Sequence, residues 1–311
     1  MRVAVTGSTG RLGSALVAAL EEAPFTGPLG PIAWTRRDVD LDATDGIGAV
    51  LDRDRPEVVV HAAAWTDVDG CARDPELALR RNGEATGVLA RACAQRGVDL
   101  VVVSTNEVFD GTRTDGHGYA PDDPTSPPNP YGRSKLAGEA AARAAYGVTG
   151  VPGVASTEGS AGPALGIVRT AWLFGPPGPD FPRKILDAAE RASTAGEPLR
   201  VVGDEWGTPT LAADVAEAIC ELLADDAHRG THHLVNGGIA TRAAWAADVL
   251  ERLGVHVPVE PVPASTWSRA STPPRWGVLA PTPLPSGEPM RPWTQAMADY
   301  VPLLRRAAVR R

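Results

Sequence analysis

Short apolar runs alternate with longer Ala- and Leu-rich stretches along the first half of the chain. The short runs show no polar alternation, which is typical of strands covered on both faces. They predict strands at 2–6, 31–35, 57–62, 99–104 and 166–171. The longer stretches predict helices at 13–22, 75–96 and 129–146. This alternation indicates an α/β fold with a parallel sheet between two layers of helices.

Two segments depart from this pattern. Residues 147–166 are rich in Gly, Ala, Ser and Pro and lack apolar periodicity, so a mobile surface loop is predicted there. Residues 258–293 are rich in proline but also contain Trp267, Trp276 and Leu279. We therefore expect this second segment to be an ordered, loop-rich wrap.

Composition narrows the class of protein. The chain has 311 residues, 43% of them hydrophobic, a net charge of −8 and a pI of about 5.3. An acidic chain without a basic run is a poor match for nucleic acids or anionic membranes. Three widely spaced cysteines, an N-terminus without a signal-peptide pattern and the lack of a long apolar run predict a cytoplasmic protein.

A glycine-rich turn follows the first predicted strand. Gly7, Gly10 and Gly13 form the pattern GxxGxxG between that strand and the first helix. Glycines in this context permit a tight turn and close approach to a pyrophosphate, which the helix N-terminus then attracts. The sequence therefore predicts a dinucleotide site; an ordinary strand-to-helix turn is the alternative.

The end of the second strand bears on the choice of cofactor. NAD sites usually place an acidic residue there, whereas this chain has Arg36 and Arg37 followed by Asp38. The two arginines suit the extra phosphate of NADPH, unless they are solvated loop charges. Because Asp38 could also turn back to the ribose, NADH stays open as the alternative.

Small residues and histidines need separate interpretations. The third strand is followed by Ala62, Ala63 and Ala64, which would let a cofactor lie flat on the backbone. His61, within that strand, is interpreted as a packed core residue. The histidines at 228, 232 and 233 lack metal-like partners in the sequence, so they are interpreted as structural and no metal site is predicted.

The most specific signal is a tyrosine and a lysine four residues apart. Tyr131 and Lys135 would share one face at the start of a helix, and Thr105 follows the fourth strand. An adjacent ammonium group would lower the pKa of the tyrosine, while the threonine would hydrogen-bond a carbonyl group. Lysine occurs elsewhere only at Lys184. The alternative is a surface pair without a catalytic role.

These motifs resemble the extended short-chain dehydrogenase/reductase superfamily and, more narrowly, the dTDP-4-dehydrorhamnose reductase family. The resemblance covers nearly the whole chain. It rests on TGSTGRLG at 6–13, LDATD at 41–45, VVHAAAWTDVDGCARDPELALRRN at 59–82, STNEVFDG at 104–111, PNPYGRSKLAGE at 128–139, IVRTAWLFG at 167–175 and GDEWGTPTLAADVAEAI at 203–219.

The resemblance implies roles for individual residues. The cofactor contacts would be Gly7, Gly10, Arg11, Leu12, Gly13, Arg36, Arg37, Asp42, Ala62, Ala63, Ala64, Tyr131 and Lys135. Thr105, Tyr131 and Lys135 would form the catalytic set, with Asp42 at the adenine and Trp172 packed on the sugar. The implied reaction is hydride transfer from NADPH to C4 of a dTDP-4-keto-6-deoxyhexose. The expected assembly is a homodimer.

The implied architecture is a Rossmann-type doubly wound parallel sheet with a smaller interleaved substrate domain. The NAD(P)-binding domain would span residues 1–170, with later contributions from about 210–237. The sugar-nucleotide-binding domain would comprise 171–209 and 238–311.

The chain departs from the family pattern at one point. The family usually reads STDYVF where this chain has Asn106 and Glu107 after Thr105. Asn106 can still bond sugar hydroxyls, and Glu107 replaces an aromatic ring with a carboxylate. We expect this change to affect the choice of sugar and to leave the catalytic set intact.

Two alternatives remain at this stage. An epimerase or dehydratase of the same superfamily would need an added acid/base pair near the threonine, which Asn106 and Glu107 could superficially supply. A non-catalytic NADP-binding regulatory subunit, such as that of methionine adenosyltransferase, also resembles this family. The intact pair of Tyr131 and Lys135 argues against the second alternative.

Overall fold

Twelve strands and ten helices make up the described part of the chain, residues 1–148 and 162–309 of a computed structural model. The strands are β1 (Val3–Thr6), β2 (Ile32–Trp34), β3 (Val58–His61), β4 (Asp99–Thr105), β5 (Leu165–Thr170), β6 (Leu173–Phe174), β7 (Leu199–Val202), β8 (Trp206–Gly207), β9 (Thr210–Leu211), β10 (Gly230–His233), β11 (Ala240–Thr241) and β12 (Val259–Val262). The helices are α1 (Arg11–Glu22), α2 (Ile47–Asp54), α3 (Val68–Arg73), α4 (Pro75–Ala78), α5 (Ala85–Ala94), α6 (Pro130–Ala145), α7 (Phe181–Ala195), α8 (Ala212–Ala224), α9 (Arg242–Leu253) and α10 (Trp293–Val309).

Six parallel strands form the central sheet, in the order β10-β5-β4-β3-β1-β2. The chain moves outward from β1 to β2 and then returns to the other side of β1 to form β3. Ligands of open α/β sheets bind at such a reversal, beyond the carboxyl ends of the strands. The glycine turn after β1 and the alanines after β3 therefore meet at one edge of the sheet. The predicted parallel, Rossmann-type sheet is confirmed.

Apolar side chains cover both faces of this sheet. In α1 the buried residues Leu12, Leu16 and Leu20 recur every four positions, which places them on one face of the helix. That face packs against α8 and the strands, where Ile219 is also buried. Helices α2, α5 and α6 cover the opposite face. Truncating a buried leucine in such a core costs about 2–5 kcal/mol.

A second apolar cluster forms from α7, α9 and α10. Its centre is Trp245, which is fully buried, with Phe181 stacked at 4.4 Å and Phe174 edge-on at 5.6 Å between ring centroids. Short strand pairs flank this cluster: β6 with β9, β7 with β12, and β8 with β11. The chain crosses back through α8 and β10 to the central sheet in between. The exact domain boundaries named above stay a prediction.

The helix predicted at 75–96 is interrupted. A π-helical stretch at Leu79–Glu84 separates α4 from α5. Within it the buried Asn82 accepts a hydrogen bond from the Trp65 backbone N–H at 2.8 Å and donates to Ser134 Oγ at 3.0 Å. An extra residue in the helical turn re-aims side chains, and such bulges are frequent at functional sites. Periodicity alone did not reveal the break because the apolar pattern resumes on the other side.

The two unusual segments have different outcomes. The proline-rich stretch 258–293 is ordered as predicted, with Leu279 1% exposed and bonded through its neighbours to Tyr119, although Trp267 is exposed. Of the predicted loop at 147–166, residues 149–161 lie outside the described residues, and 165–166 already belong to β5. Among the described helices, none has the length and hydropathy needed to span a bilayer.

Candidate active site

The glycine turn after β1 is shaped by close backbone contacts. Gly7 has a φ of 63°, and a Cβ there would press on the backbone of Ala63 at 2.8 Å. A Cβ on Gly13 would overlap the carbonyl oxygen of Gly7. Gly10 caps α1 without a side-chain hydrogen bond, so the first N–H groups of the helix stay open. Such a turn offers an anion a cradle of backbone donors.

A first cavity, of about 330 Å³, extends from this turn along the end of β2. Its lining includes Gly7, Gly10, Arg36, Asp40, Asp42, Ala62, Ala63, Ala64, Trp65 and Arg81. Asp42 accepts hydrogen bonds from both Arg81 (2.6 and 2.7 Å) and Arg36 (2.9 Å). The hydrogen bond from Arg81 is the main cause that holds the pKa of Asp42 below its ordinary value.

The three charged residues predicted at the end of β2 separate in space. Arg36 lines the first cavity, whereas Arg37 is exposed and does not line it. Asp38 folds back on its own turn, where its carboxylate accepts bonds from the Thr35 backbone and hydroxyl at 3.1 Å. It also pairs with Arg53 at 3.2 Å. The structure thus brings only Arg36 of this group to the cavity.

A second cavity, of about 400 Å³, continues from the first, and the two share Gly10, Ala62 and Ala64. Its chemically significant lining comprises Arg11, Leu12, Gly13, Thr105, Asn106, Glu107, Tyr131, Lys135, Trp172 and Arg242. Arg11 donates to the Pro179 carbonyl at 3.0 Å and lies 3.8 Å from the buried Asp180. The predicted catalytic residues and the glycine turn therefore face one continuous cleft.

Three elements position the predicted catalytic set. Thr105 ends β4, where its hydroxyl accepts a bond from the Glu107 N–H at 3.2 Å, and it lines the same cavity as Tyr131. Asn129 caps α6 by accepting the Gly132 N–H at 2.8 Å. Because the cap fixes the first turn of α6, Tyr131 and Lys135 share its cavity-facing side.

Burial shifts the pKa values of Tyr131 and Lys135, and the shift of Tyr131 is opposite to the one expected from the sequence. The pKa of Tyr131 is raised, not lowered, because burial and the nearby Glu107 carboxylate both oppose the phenolate. Burial also lowers the pKa of Lys135 to about 8. The sequence-based argument counted the ammonium but not the cost of desolvating the phenol. A protonated tyrosine at neutral pH is the form that can donate a proton.

The departure from the family pattern lies inside the second cavity. Asn106 is 4% exposed, and its amide donates to the Gly277 carbonyl at 2.9 Å. Asn106 thereby ties the proline-rich stretch to the end of β4. Glu107 accepts a hydrogen bond from Asn129 Nδ2 at 2.6 Å, and burial raises its pKa. Glu107 therefore faces the site and not the solvent.

Two cavity residues escaped the sequence analysis. Arg81 lies in the π-helical stretch, and Arg242 is the first residue of α9 in the second apolar cluster. The Arg242 guanidinium lies 3.5 Å from the centroid of the Trp172 ring. Arg81 lies within the 59–82 string without a role assigned to it, Arg242 lies in no motif, and each reaches the cleft from an element distant in sequence. In the sequence, an arginine that will line a cavity cannot be distinguished from one that faces solvent.

The histidines fall into two groups. His61 is buried and bonded to Thr6 at 2.8 Å and Thr86 at 3.2 Å, and burial lowers its pKa to about 3, as suits a packed core residue. His228 was expected to lack metal-like partners, but it lies 3.0 Å from Asp99 and 3.9 Å from Asp226. Asp226 is only two residues away in the sequence, whereas Asp99 is remote and meets His228 only through the pairing of β10, β5 and β4.

The fold and the Thr–Tyr–Lys arrangement at the end of β4 define an extended short-chain dehydrogenase/reductase. The family model for the RmlD substrate binding domain matches residues 1–306. A dTDP-4-keto-6-deoxy-D-glucose reductase of Streptomyces niveus is 36% identical over 303 residues, covering 96% of each chain. A dTDP-4-dehydrorhamnose reductase of Streptomyces griseus is 34% identical over 309 residues, covering 96% of this chain and 93% of the relative.

Solved structures of enzymes with the same name are also similar to this chain. A dTDP-4-dehydrorhamnose reductase of Clostridium acetobutylicum superposes with a TM-score of 0.85 at 28% identity, covering 98% of this chain and 100% of the other. The enzyme of that name from Bacillus anthracis, in complex with NADP, gives 0.80 at 27% identity, covering 96% and 98%. The chain belongs to the dTDP-4-dehydrorhamnose reductase family.

Proposed function

We propose that this protein reduces the C4 keto group of a dTDP-4-keto-6-deoxyhexose with NADPH. The observation that carries the proposal is the continuous cleft, which joins an anion-binding glycine turn to Thr105, Tyr131 and Lys135. The names of the relatives in Streptomyces niveus and Streptomyces griseus support this substrate class.

The cleft suits a dinucleotide along its whole length. Gly7 packs directly on Ala63, so small residues form the floor of the cleft at this point. A side chain at position 7 would fill that space. The open N–H groups of α1 would take the pyrophosphate, and Arg36 and Arg81 would lie beside the adenosine ribose. The relative from Bacillus anthracis was solved with NADP, which supports NADPH here.

The residues of the second cavity would then complete the reduction. Bound NADPH supplies a hydride to the carbonyl carbon of the sugar. Thr105 would hydrogen-bond the carbonyl oxygen, and Tyr131 would donate its proton to that oxygen, so that the ketone becomes a secondary alcohol. Lys135, as an ammonium group, would stabilise the phenolate left behind. The protein thus supplies one proton and the orientation.

The test is an assay of NADPH oxidation against a panel of dTDP-4-keto-6-deoxy sugars, with NMR of the products. Turnover with formation of a 4-hydroxy sugar is expected. An epimerase or dehydratase would instead retain bound NAD through purification and cause no net oxidation of NADPH. A regulatory subunit would oxidise no NADPH with any keto-sugar and would bind a stoichiometric partner enzyme. Size-exclusion chromatography in the same preparation would test the homodimer.

A further inference from the structure

Arg242 is an unusual neighbour for the sugar site. Its guanidinium lies flat on Trp172, with 3.5 Å between Cζ and the ring centroid, and a second aromatic ring, Phe181, lies at 5.4 Å. A guanidinium over an indole face is held by attraction to the ring quadrupole. The position of this cation inside the second cavity is therefore fixed before any ligand arrives.

The Trp172 ring is also covered by backbone. A Cβ on Gly207 would overlap three adjacent atoms of the ring, so the backbone of β8 lies against the indole. The β8 backbone and the Arg242 guanidinium therefore both pack against this ring. A sugar entering the cavity would thus meet the guanidinium of Arg242 before it could pack on the face of Trp172.

Arg242 has hydrogen-bonding capacity to spare. Its nearest carboxylate, Glu205, lies 3.8 Å from Nε, beyond hydrogen-bonding distance, and no acceptor in the described ranges 1–148 and 162–309 bonds the guanidinium. Glu107 has an acceptor to spare. Asn129 donates to its Oε2, and among the described residues none donates to its Oε1. Both groups line the second cavity, where a ligand could pair them at the same time.

The charge balance indicates the kind of ligand. Burial lowers the pKa of Arg242 to about 10, so the group stays cationic at neutral pH, but Glu205 and Glu107 both face it. Arg269, the other cation that acts on Glu107, is 41% exposed and lies 3.6 Å from Asp69. One cation balanced by two carboxylates has no surplus positive charge for a diphosphate. Neutral hydroxyl groups, which both donate and accept, fit better.

We propose that Arg242 and Glu107 hold the C2 and C3 hydroxyls of the keto-sugar, with Arg242 donating to one oxygen and Glu107 accepting from the other. This inference rests on the proposed function. Once C4 lies at Tyr131, C1 carries the diphosphate, C5 carries the ring oxygen and C6 is a methyl group, so these two hydroxyls remain. The substrate class narrows to 4-keto-6-deoxyhexoses that retain both of them.

Binding of product-like ligands tests the assignment without turnover. Titrate the NADP-loaded enzyme with dTDP and with a dTDP-6-deoxyhexose, using wild type, Arg242→Met and the matched control Arg269→Met. The Arg242 variant should bind the nucleotide sugar about 10- to 100-fold more weakly, as expected for a lost charge-assisted hydrogen bond, with dTDP affinity unchanged. An equal loss for dTDP would overturn the proposal by placing the diphosphate at Arg242.

A kinetic comparison separates this inference from the proposed function. Wild type should prefer a keto-sugar with a C2 hydroxyl over its 2-deoxy analogue in kcat/KM, and whichever of Arg242→Met and Glu107→Gln removes the partner of that hydroxyl should reduce the preference at least about tenfold. If wild type reduces both sugars equally well, the hydroxyl assignment fails while the reductase stands. If wild type reduces neither, the proposed function fails, and the dTDP titration still reports on Arg242.

Discussion

The two ends of the cleft hold their charges differently. In the first cavity Arg36, with a side chain 73% exposed, and Arg81, at 26%, share the carboxylate of Asp42. In the second cavity Lys135 is 4% exposed, and the largest influence on its pKa is burial. The first cavity neutralises its ions by pairing them near the surface, whereas the second keeps them apart and desolvated.

This contrast explains what each end can do. Exposed ion pairs are worth little individually and can exchange partners, which suits a region that must open to admit a phosphate. Desolvated groups shift their pKa values and respond strongly to a nearby reacting atom. Chemistry is therefore expected at the buried end and cofactor selection at the exposed end, and each expectation can be tested by substitution.

The largest effect should come from Tyr131 in the buried cavity. Tyr131→Phe removes a general acid while keeping the ring, so kcat should fall at least about 100-fold. NADPH affinity should change little, because the first cavity is intact. Stopped-flow or steady-state oxidation of NADPH, together with a cofactor titration, measures both. A variant that keeps more than about a tenth of wild-type turnover would exclude Tyr131 as the proton donor.

This residue also shows how far the sequence leads. The strand-to-helix spacing placed Tyr131, Lys135 and the glycine turn in one cleft, and the structure agrees. Local patterns carry that information because each motif lies at the end of a strand whose partners the parallel topology dictates. The direction of the Tyr131 pKa shift could not be predicted, since it depends on burial by elements distant in sequence.

Long-range contacts account for the other differences. Arg242 and Arg81 reach the cleft from α9 and from the π-helical stretch, and the motifs assign a role to neither. His228 acquires Asp99 as a partner only because β10 and β4 flank β5. Residues whose neighbours come from remote segments carry no signal in hydrophobic periodicity. For the same reason Arg36 and Arg37, adjacent in sequence, could not be distinguished before their side chains were placed.

The pH dependence should expose Lys135. Burial lowers its pKa from 10.5 to about 8, so the ammonium form dominates at pH 7 and is lost as the pH rises through 8. Since the charged form stabilises the phenolate, kcat/KM should decline above pH 8, approaching about tenfold per pH unit. The Kd of NADPH, measured over the same range, should lack an inflection of that size. A flat kcat/KM profile up to pH 10 would contradict this role.

The smallest effect is expected at the exposed end, where Arg36 and Arg37 provide a matched pair. Arg36 lines the first cavity and shares Asp42 with Arg81, whereas Arg37 lies outside the cavity. A phosphate on the adenosine ribose would compete with Asp42 for these guanidinium groups, and the solvent exposure of Arg36 limits the gain.

We therefore expect Arg36→Ala to raise the Kd of NADPH only about 3- to 10-fold, with NADH nearly unaffected. Arg81→Ala should act in the same direction, and Arg37→Ala should leave both cofactors within about twofold of wild type. Calorimetric titration of the three variants with both cofactors measures this, and equal losses in the Arg36 and Arg37 variants would mean that general surface charge, not the cavity, selects the cofactor.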